Sequence, residues 1–128
     1  MLQLEIPARG NPAIVRCLDA MDRAARETMK KLHVAIPGEP SEPDDPNRKK
    51  LGAEETRGVV EDGIKNCRNA YREAMPPLVY EANIRDFIAC VAHGILIDVL
   101  SLEESSKLLY AAQVAASAET RRYKSKIG

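Results

Sequence analysis

Four stretches of the chain carry apolar residues at helical spacing. The first begins after Asn11-Pro12, and its apolar positions follow one another at steps of three or four residues from Ile14 to Leu32. Such steps keep the side chains on one face of a helix. Asn is a preferred N-cap, and Pro fits the first helical position because its missing N–H has no partner to lose there. This pattern predicts an amphipathic helix over residues 12–34.

A proline-rich strap separates this helix from the rest of the chain. Its prolines recur at every third position, which matches the turn of polyproline II. They are Pro37, Pro40, Pro43 and Pro46. Each proline removes a backbone donor and clashes with the preceding turn, so residues 35–52 are predicted to be an extended linker.

Three further helices follow with short connections. Their predicted bounds are residues 53–75, 81–99 and 102–119. A pair of prolines ends the second helix, and Ser101 with Glu104 fits a capping box at the start of the fourth. The third helix is the most apolar, so we expect it at the centre of the core, with Leu96 and Ile97 widening its buried face.

The second helix carries a narrower apolar face and two glycines. Its apolar residues recur at steps of four and three. They are Val60, Ile64, Cys67, Tyr71 and Met75. Gly58 and Gly63 each weaken the helix by about 1 kcal/mol relative to Ala, which indicates either close approach of a neighbour or a frayed first turn. Gly94 in the third helix is expected to mark tight packing.

These patterns together predict an all-α, four-helix bundle-like domain over residues 1–128. Helices two to four are expected to form a compact unit of sequential antiparallel neighbours, because their connections are short. The strap lets helix one pack on its own bundle or swap onto a second copy. Residues 120–128 are expected to form a tail.

Composition narrows the class of protein. The chain has 128 residues, of which 45% are hydrophobic and 30% charged, as in a globular domain. The 19 basic and 19 acidic residues cancel, which excludes a whole-molecule polycation. Three widely spaced cysteines form no disulfide framework. Without an apolar run of about 20 residues or a secretory pattern, we expect a cytoplasmic protein that does not enter a membrane.

Candidate chemistry is sparse. Cys90 and His93 lie three positions apart and share a helix face, so they could form a thiol nucleophile and its base. The alternative, which we favour, is a buried small hydrophobe beside a hydrogen-bonded histidine. The chain lacks the closed Cys and His spacing of zinc sites and the glycine-rich loops of nucleotide sites. We therefore expect no catalytic residue, metal or cofactor.

Basic residues form two groups. On helix one they recur about every seven positions, as a phosphate-binding track would require, although acidic residues interleave with them in i, i+4 pairs. Near the C-terminus they form a tail that contains no acid. The predicted nucleic-acid or acidic-partner contacts are Arg16, Arg23, Arg26, Lys30, Arg121, Arg122, Lys124 and Lys126.

The fourth helix is rich in small residues, which allow close packing inside the bundle or a flat face toward another copy. The oligomer face predicted for the second case consists of Leu108, Ala112, Ala115 and Ala116. The stretch from Ile84 to Ala118, centred on Lys107 to Ser117, resembles an αα-hairpin of small uncharacterised bacterial proteins, notably from Acidobacteria. The resemblance implies a bacterial origin and no assigned activity.

Three classes of function follow from these observations. The favoured hypothesis is a non-catalytic helical interaction or assembly subunit of a bacterial complex, with a protein partner or a second copy of the chain. The first alternative is a small nucleic-acid-associated protein, whose binding would weaken steeply with salt. The second is a thiol enzyme using Cys90 and His93, which requires a reactive Cys90 thiol.

Overall fold

The described residues fold into helices connected by turns and the strap. A computed structural model describes residues 10–40, 46–47 and 50–127, with side chains as far as Arg122. The helices are α1 (Pro12–Lys31), α2 (Ala53–Glu73), α3 (Glu81–Leu96) and α4 (Leu102–Ile127). The predicted all-α, four-helix bundle-like fold is confirmed. Pro43 of the strap and the side chains of Lys124 and Lys126 lie outside the described residues.

The predicted start signals act as expected at α1 and in part at α4. Asn11 caps α1, its Oδ1 accepting hydrogen bonds from two backbone N–H groups at 2.9 and 3.3 Å. At α4 the Glu104 N–H donates to Ser101 Oγ at 3.1 Å, which is one half of the capping box. The Glu104 carboxylate does not complete the box, because it pairs with Arg72 of α2 instead.

Two helices end about three residues earlier than their apolar pattern predicts. His33 and Asp98 follow the ends of α1 and α3 with φ of 57° and 60°, in the left-handed region. After α3, the N–H of Val99 donates to Gly94 O at 2.9 Å, and the N–H of Asp98 donates to Ile95 O at 3.1 Å. This pair of bonds is the Schellman arrangement, which usually places glycine where Asp98 stands.

The predicted tail is wrong, because α4 continues through it to Ile127. No proline or glycine interrupts the sequence between Leu102 and Gly128, so the backbone meets no helix breaker. Arg122 also anchors this part of the helix, since its guanidinium pairs with Glu119 at 2.7 Å.

Helix α1 packs within the bundle and is not an appendage. It packs along α2 and also contacts α3, while α4 packs against α3. The predicted compact unit of helices two to four is therefore not the arrangement found. The fully buried positions of α1 explain its place, because Ala13 and Cys17 belong to the core.

The core centres on the place where α1, α2 and α3 meet. Tyr71 of α2 is wholly buried and donates its hydroxyl proton to the backbone oxygen of Cys90 at 2.6 Å. A methyl group at Gly94 would lie 2.6 Å from Leu100 Cδ1, which confirms the tight packing predicted there. Leu96, expected to widen the buried face of α3, is instead 82% exposed.

Among the described residues, no helix combines the length and the apolar character that crossing a membrane requires.

Candidate interaction groove

Helices α1 and α2 approach closely where Gly63 faces Thr28. A methyl group at position 63 would lie 2.5 Å from both Cγ2 and Oγ1 of Thr28, far inside ordinary van der Waals contact. This confirms close approach of a neighbour at Gly63. At Gly58, five positions earlier on α2, a methyl group would meet nothing within 4 Å.

An open apolar groove lies beside this contact. It encloses about 390 Å³ between α1 and α2, and the turn from α3 to α4 contributes to its lining. Most of its lining is apolar, and two of the residues are methionines. The lining residues are Met21, Ala25, Thr28, Met29, Leu32, Val60, Ile64, Cys67, Arg68, Ile97, Asp98 and Val99.

One half of the predicted apolar face of the second helix is buried in the core, and the other half lines the groove. Tyr71 and Met75 belong to the core. Val60 and Ile64 are 40% and 50% exposed. Burial of such side chains is favourable by roughly 25 cal/mol for each Å² removed from water, so this open half is a surface on which a partner would gain binding energy.

Charged residues at the groove are few. Arg68 lines it, and Arg57 lies eleven positions earlier, three helical turns away on the same side of α2. Glu61 stands between them along the helix. Within the described part of the chain, neither arginine forms an ion pair. Asp98 is the acidic residue of the lining.

The predicted oligomer face of α4 packs within the chain. Ala112 is wholly buried in the core, and the other three residues are partly buried against it. These three are Leu108, Ala115 and Ala116. The exposed apolar residues of α4 lie on other sides of the helix, with Tyr110 at 69% and Val114 at 50% exposed. Whether α4 also contacts a second copy stays a prediction.

The basic stripe of α1 lies on its outer side, partly neutralised by acids. Arg26 pairs with Asp22 at 2.9 Å, which raises the pKa of its guanidinium, and it also lies 3.6 Å from Glu39. Lys30 pairs with Glu27 at 3.5 Å. Arg16 and Arg23 are exposed and form no ion pair in the described part of the chain.

One residue of the basic C-terminal group, Arg122, contacts the N-cap residue of α3. Glu119 accepts a hydrogen bond from the backbone N–H of Tyr80 at 3.2 Å and pairs with Arg122. The Arg122 guanidinium lies 5.5 Å from the centre of the Tyr80 ring, in a cation–π contact. Arg121 is exposed. Arg122 thus has a role inside the molecule, which sequence reasoning did not anticipate.

The sulfur of Cys90 faces a different partner from the one its local spacing suggests. Cys90 is wholly buried, and its Sγ lies 3.8 Å from Cys17 Sγ of α1. His93 is only partly buried, and among the described residues no hydrogen bond joins it to Cys90. A thiol nucleophile at Cys90 stays a prediction that alkylation of the native protein can test.

Across the described residues, no three His, Cys, Asp or Glu side chains lie together closely enough to hold a metal ion. The chain matches no family model, no curated protein and no solved structure.

Proposed function

We propose that this chain is a non-catalytic helical interaction subunit that binds an amphipathic helix of a partner protein in the groove between α1 and α2. The observation that supports it is the open apolar groove itself, with Val60 and Ile64 exposed on one wall. We further expect the protein to act in the bacterial cytoplasm, with its cysteines reduced.

The dimensions of the groove suit a helix of about three turns. The α1 wall runs from Met21 to Leu32, which is about 16 Å along a helix axis. A helix placed there would present apolar anchors at positions i, i+3 or i+4, and i+7, as in other helix-in-groove complexes. Met21 and Met29 add a lining that can adapt its shape, because the methionine side chain is flexible and polarizable.

The charge at the groove indicates which helices would bind best. Arg68 has no ion-pair partner among the described residues and stands at the edge of the apolar lining. A carboxylate beside the apolar anchors of the partner would pair with it. We therefore expect a preference for helices with Asp or Glu next to the anchor that lies nearest Arg68.

A displayed library of 16-residue amphipathic helical peptides tests the proposal. The wild-type chain should enrich peptides with apolar anchors at helical spacing and an adjacent acid. Ile64→Glu, which places a charge in the groove, should abolish binding of the enriched peptides. The matched control is Lys65→Glu, one position along α2 and outside the groove lining, which should bind them as the wild type does. Far-UV circular dichroism would show that both variants retain their helices.

Two results would overturn the proposal. One is the absence of any enriched helical motif, or enrichment that Ile64→Glu leaves intact. The other is a defined multimer of the free chain that Ile64→Glu dissociates, because the groove would then be filled by a second copy. Light scattering on a size-exclusion column measures that mass directly.

A second candidate function is nucleic-acid association through α1. It is favoured by Arg16 and Arg23, which are exposed and unpaired among the described residues. Binding of a short labelled duplex at low salt should then fall steeply as salt rises. Arg16→Gln with Arg23→Gln should weaken it, and no binding at low salt would refute this alternative.

A further inference from the structure

Two of the three thiols meet in the core, away from the groove. Cys17 of α1 and Cys90 of α3 are both wholly buried, and their sulfur atoms are 3.8 Å apart. Cys67, the third thiol, is half-buried in the lining of the groove. The chain thus contains one pair of thiols in contact and one thiol in a different place.

The two sulfur atoms need to move only a short way to form a bond. Sulfur atoms 3.8 Å apart are in van der Waals contact, and a disulfide bond brings them to about 2.05 Å. The sulfurs would have to approach by less than about 2 Å. Helices α1 and α3 already contact each other, so this approach requires a local adjustment and not a new fold.

The contact between the thiols and their burial both act on the acidity of each thiol. The pKa of Cys17 is lowered, chiefly because its thiolate would accept a hydrogen bond from the Cys90 thiol, with a smaller contribution from Arg16; burial opposes this effect. The pKa of Cys90 is raised, first by the same hydrogen bond and then by burial.

We propose that Cys17 and Cys90 form a reversible redox site that a hydroperoxide oxidises to a disulfide between α1 and α3. In the open state the Cys17 thiolate attacks the terminal peroxide oxygen, the O–O bond breaks, and the sulfenic acid of Cys17 forms; the hydroxide or alkoxide released takes up a proton to give water or an alcohol. The Cys90 sulfur then attacks the sulfenic sulfur, forming the S–S bond, and the sulfenic hydroxyl leaves with the Cys90 proton as water. Two electrons pass from the thiols to the peroxide, and a dithiol reductant reverses the change by exchange.

Burial of the thiols limits the rate of this reaction, and the loop that the disulfide closes determines its effect on stability. Because neither sulfur is exposed, the peroxide reaches Cys17 only when α1 opens locally from α3. The bond then joins residues 73 positions apart and encloses the strap and α2. Such a link constrains the unfolded chain and so stabilises the folded one. This inference does not depend on the proposed groove function.

The test uses the full chain with Cys67→Ser, which removes the groove thiol and leaves the pair intact. The reduced protein is treated with hydrogen peroxide, and its mass and tryptic peptides are measured. We expect the loss of two hydrogens and a cross-link between the peptides 17–23 and 86–107. The thermal midpoint should rise by about 10 °C or more and return to the reduced value after a dithiol is added.

The matched control is Cys90→Ala in the same background, which should gain oxygen on Cys17 or stay unchanged and show no rise in midpoint. The inference is overturned if the Cys67→Ser protein gains oxygen atoms instead of losing hydrogens, or keeps its mass under conditions that open α1. It is also overturned if the cross-link forms but leaves the midpoint unchanged or lower. The Cys67→Ser protein itself carries the decisive result, so the test stands even where Cys90→Ala folds poorly.

Discussion

The two glycines of α2 offer a paired test of the close contact between α1 and α2. Both stand in the same helix, and replacing either by Ala improves helix propensity by about 1 kcal/mol. At Gly58 the new methyl group meets nothing within 4 Å, whereas at Gly63 it meets Thr28 at 2.5 Å. The two substitutions share their effect on the helix and differ only in the contact.

The magnitude follows from that difference. Gly58→Ala should raise the free energy of unfolding by about 1 kcal/mol. Gly63→Ala gains the same amount but overpacks the interface, which typically costs about 1–3 kcal/mol. Thr28 presents two atoms to the new methyl group, so rotation of its side chain removes only one of them and the upper end of that range applies. We expect Gly63→Ala to be about 2 kcal/mol less stable than the wild type.

Urea denaturation followed by far-UV circular dichroism measures both variants, since the chain has no Trp for a fluorescence signal. The midpoint should move while the slope with urea stays constant, which shows that stability alone has changed. Thr28→Ala should rescue Gly63→Ala by at least about 1 kcal/mol, because only its Cβ, 3.0 Å away, then faces the methyl group. A double-mutant cycle isolates this coupling.

The reasoning is refuted if Gly63→Ala is as stable as Gly58→Ala. In that case α1 and α2 are farther apart than the structure places them, and the groove between them is wider than described. It is also refuted if Thr28→Ala gives no rescue, since the loss would then arise from some cause other than this contact.

Three further predictions concern single polar groups. Ser105→Ala should leave stability unchanged or raise it by up to about 1 kcal/mol, because the buried Ser105 hydroxyl has no hydrogen-bond partner among the described residues. Asn11→Ala should cost about 1 kcal/mol through loss of the α1 cap, with Asn11→Asp as the control that keeps the cap. Tyr71→Phe should cost about 1 kcal/mol through loss of its bond to Cys90 O. Urea midpoints measure all three; a destabilising Ser105→Ala, a neutral Asn11→Ala or a neutral Tyr71→Phe would contradict the respective contact.

Local patterns predicted the helices well, since caps and apolar spacing act over a few residues. The start of α1 at Asn11 is of this kind. The ends were harder, because His33 and Asp98 take left-handed backbone conformations that glycine usually signals. The pattern of apolar residues continues past both, and Val99 is buried although it lies outside α3.

Long-range contacts account for the features that sequence reasoning missed. Spacing paired Cys90 with His93, three positions away, whereas the structure pairs it with Cys17, 73 positions away. Nothing in the composition of either helix marks that contact. The small residues of α4 favoured either packing inside the bundle or a face for a second copy. The structure places one of them, Ala112, in the core.

The groove could not be predicted from apolar periodicity either. A helical pattern shows which side chains share a face, but it does not show how much of that face the rest of the chain covers. The apolar face from Val60 to Met75 is continuous in sequence, yet Tyr71 and Met75 are buried while Val60 and Ile64 are exposed. The turn after α3 reaches the groove only with Ile97 to Val99, so the apolar walls beyond it have no cover from the described part of the chain. Since this exposed stretch continues the buried face of α2, a helix bound there would extend the packing of the core. The difference in peptide binding between Ile64→Glu and Lys65→Glu measures whether a helix binds there.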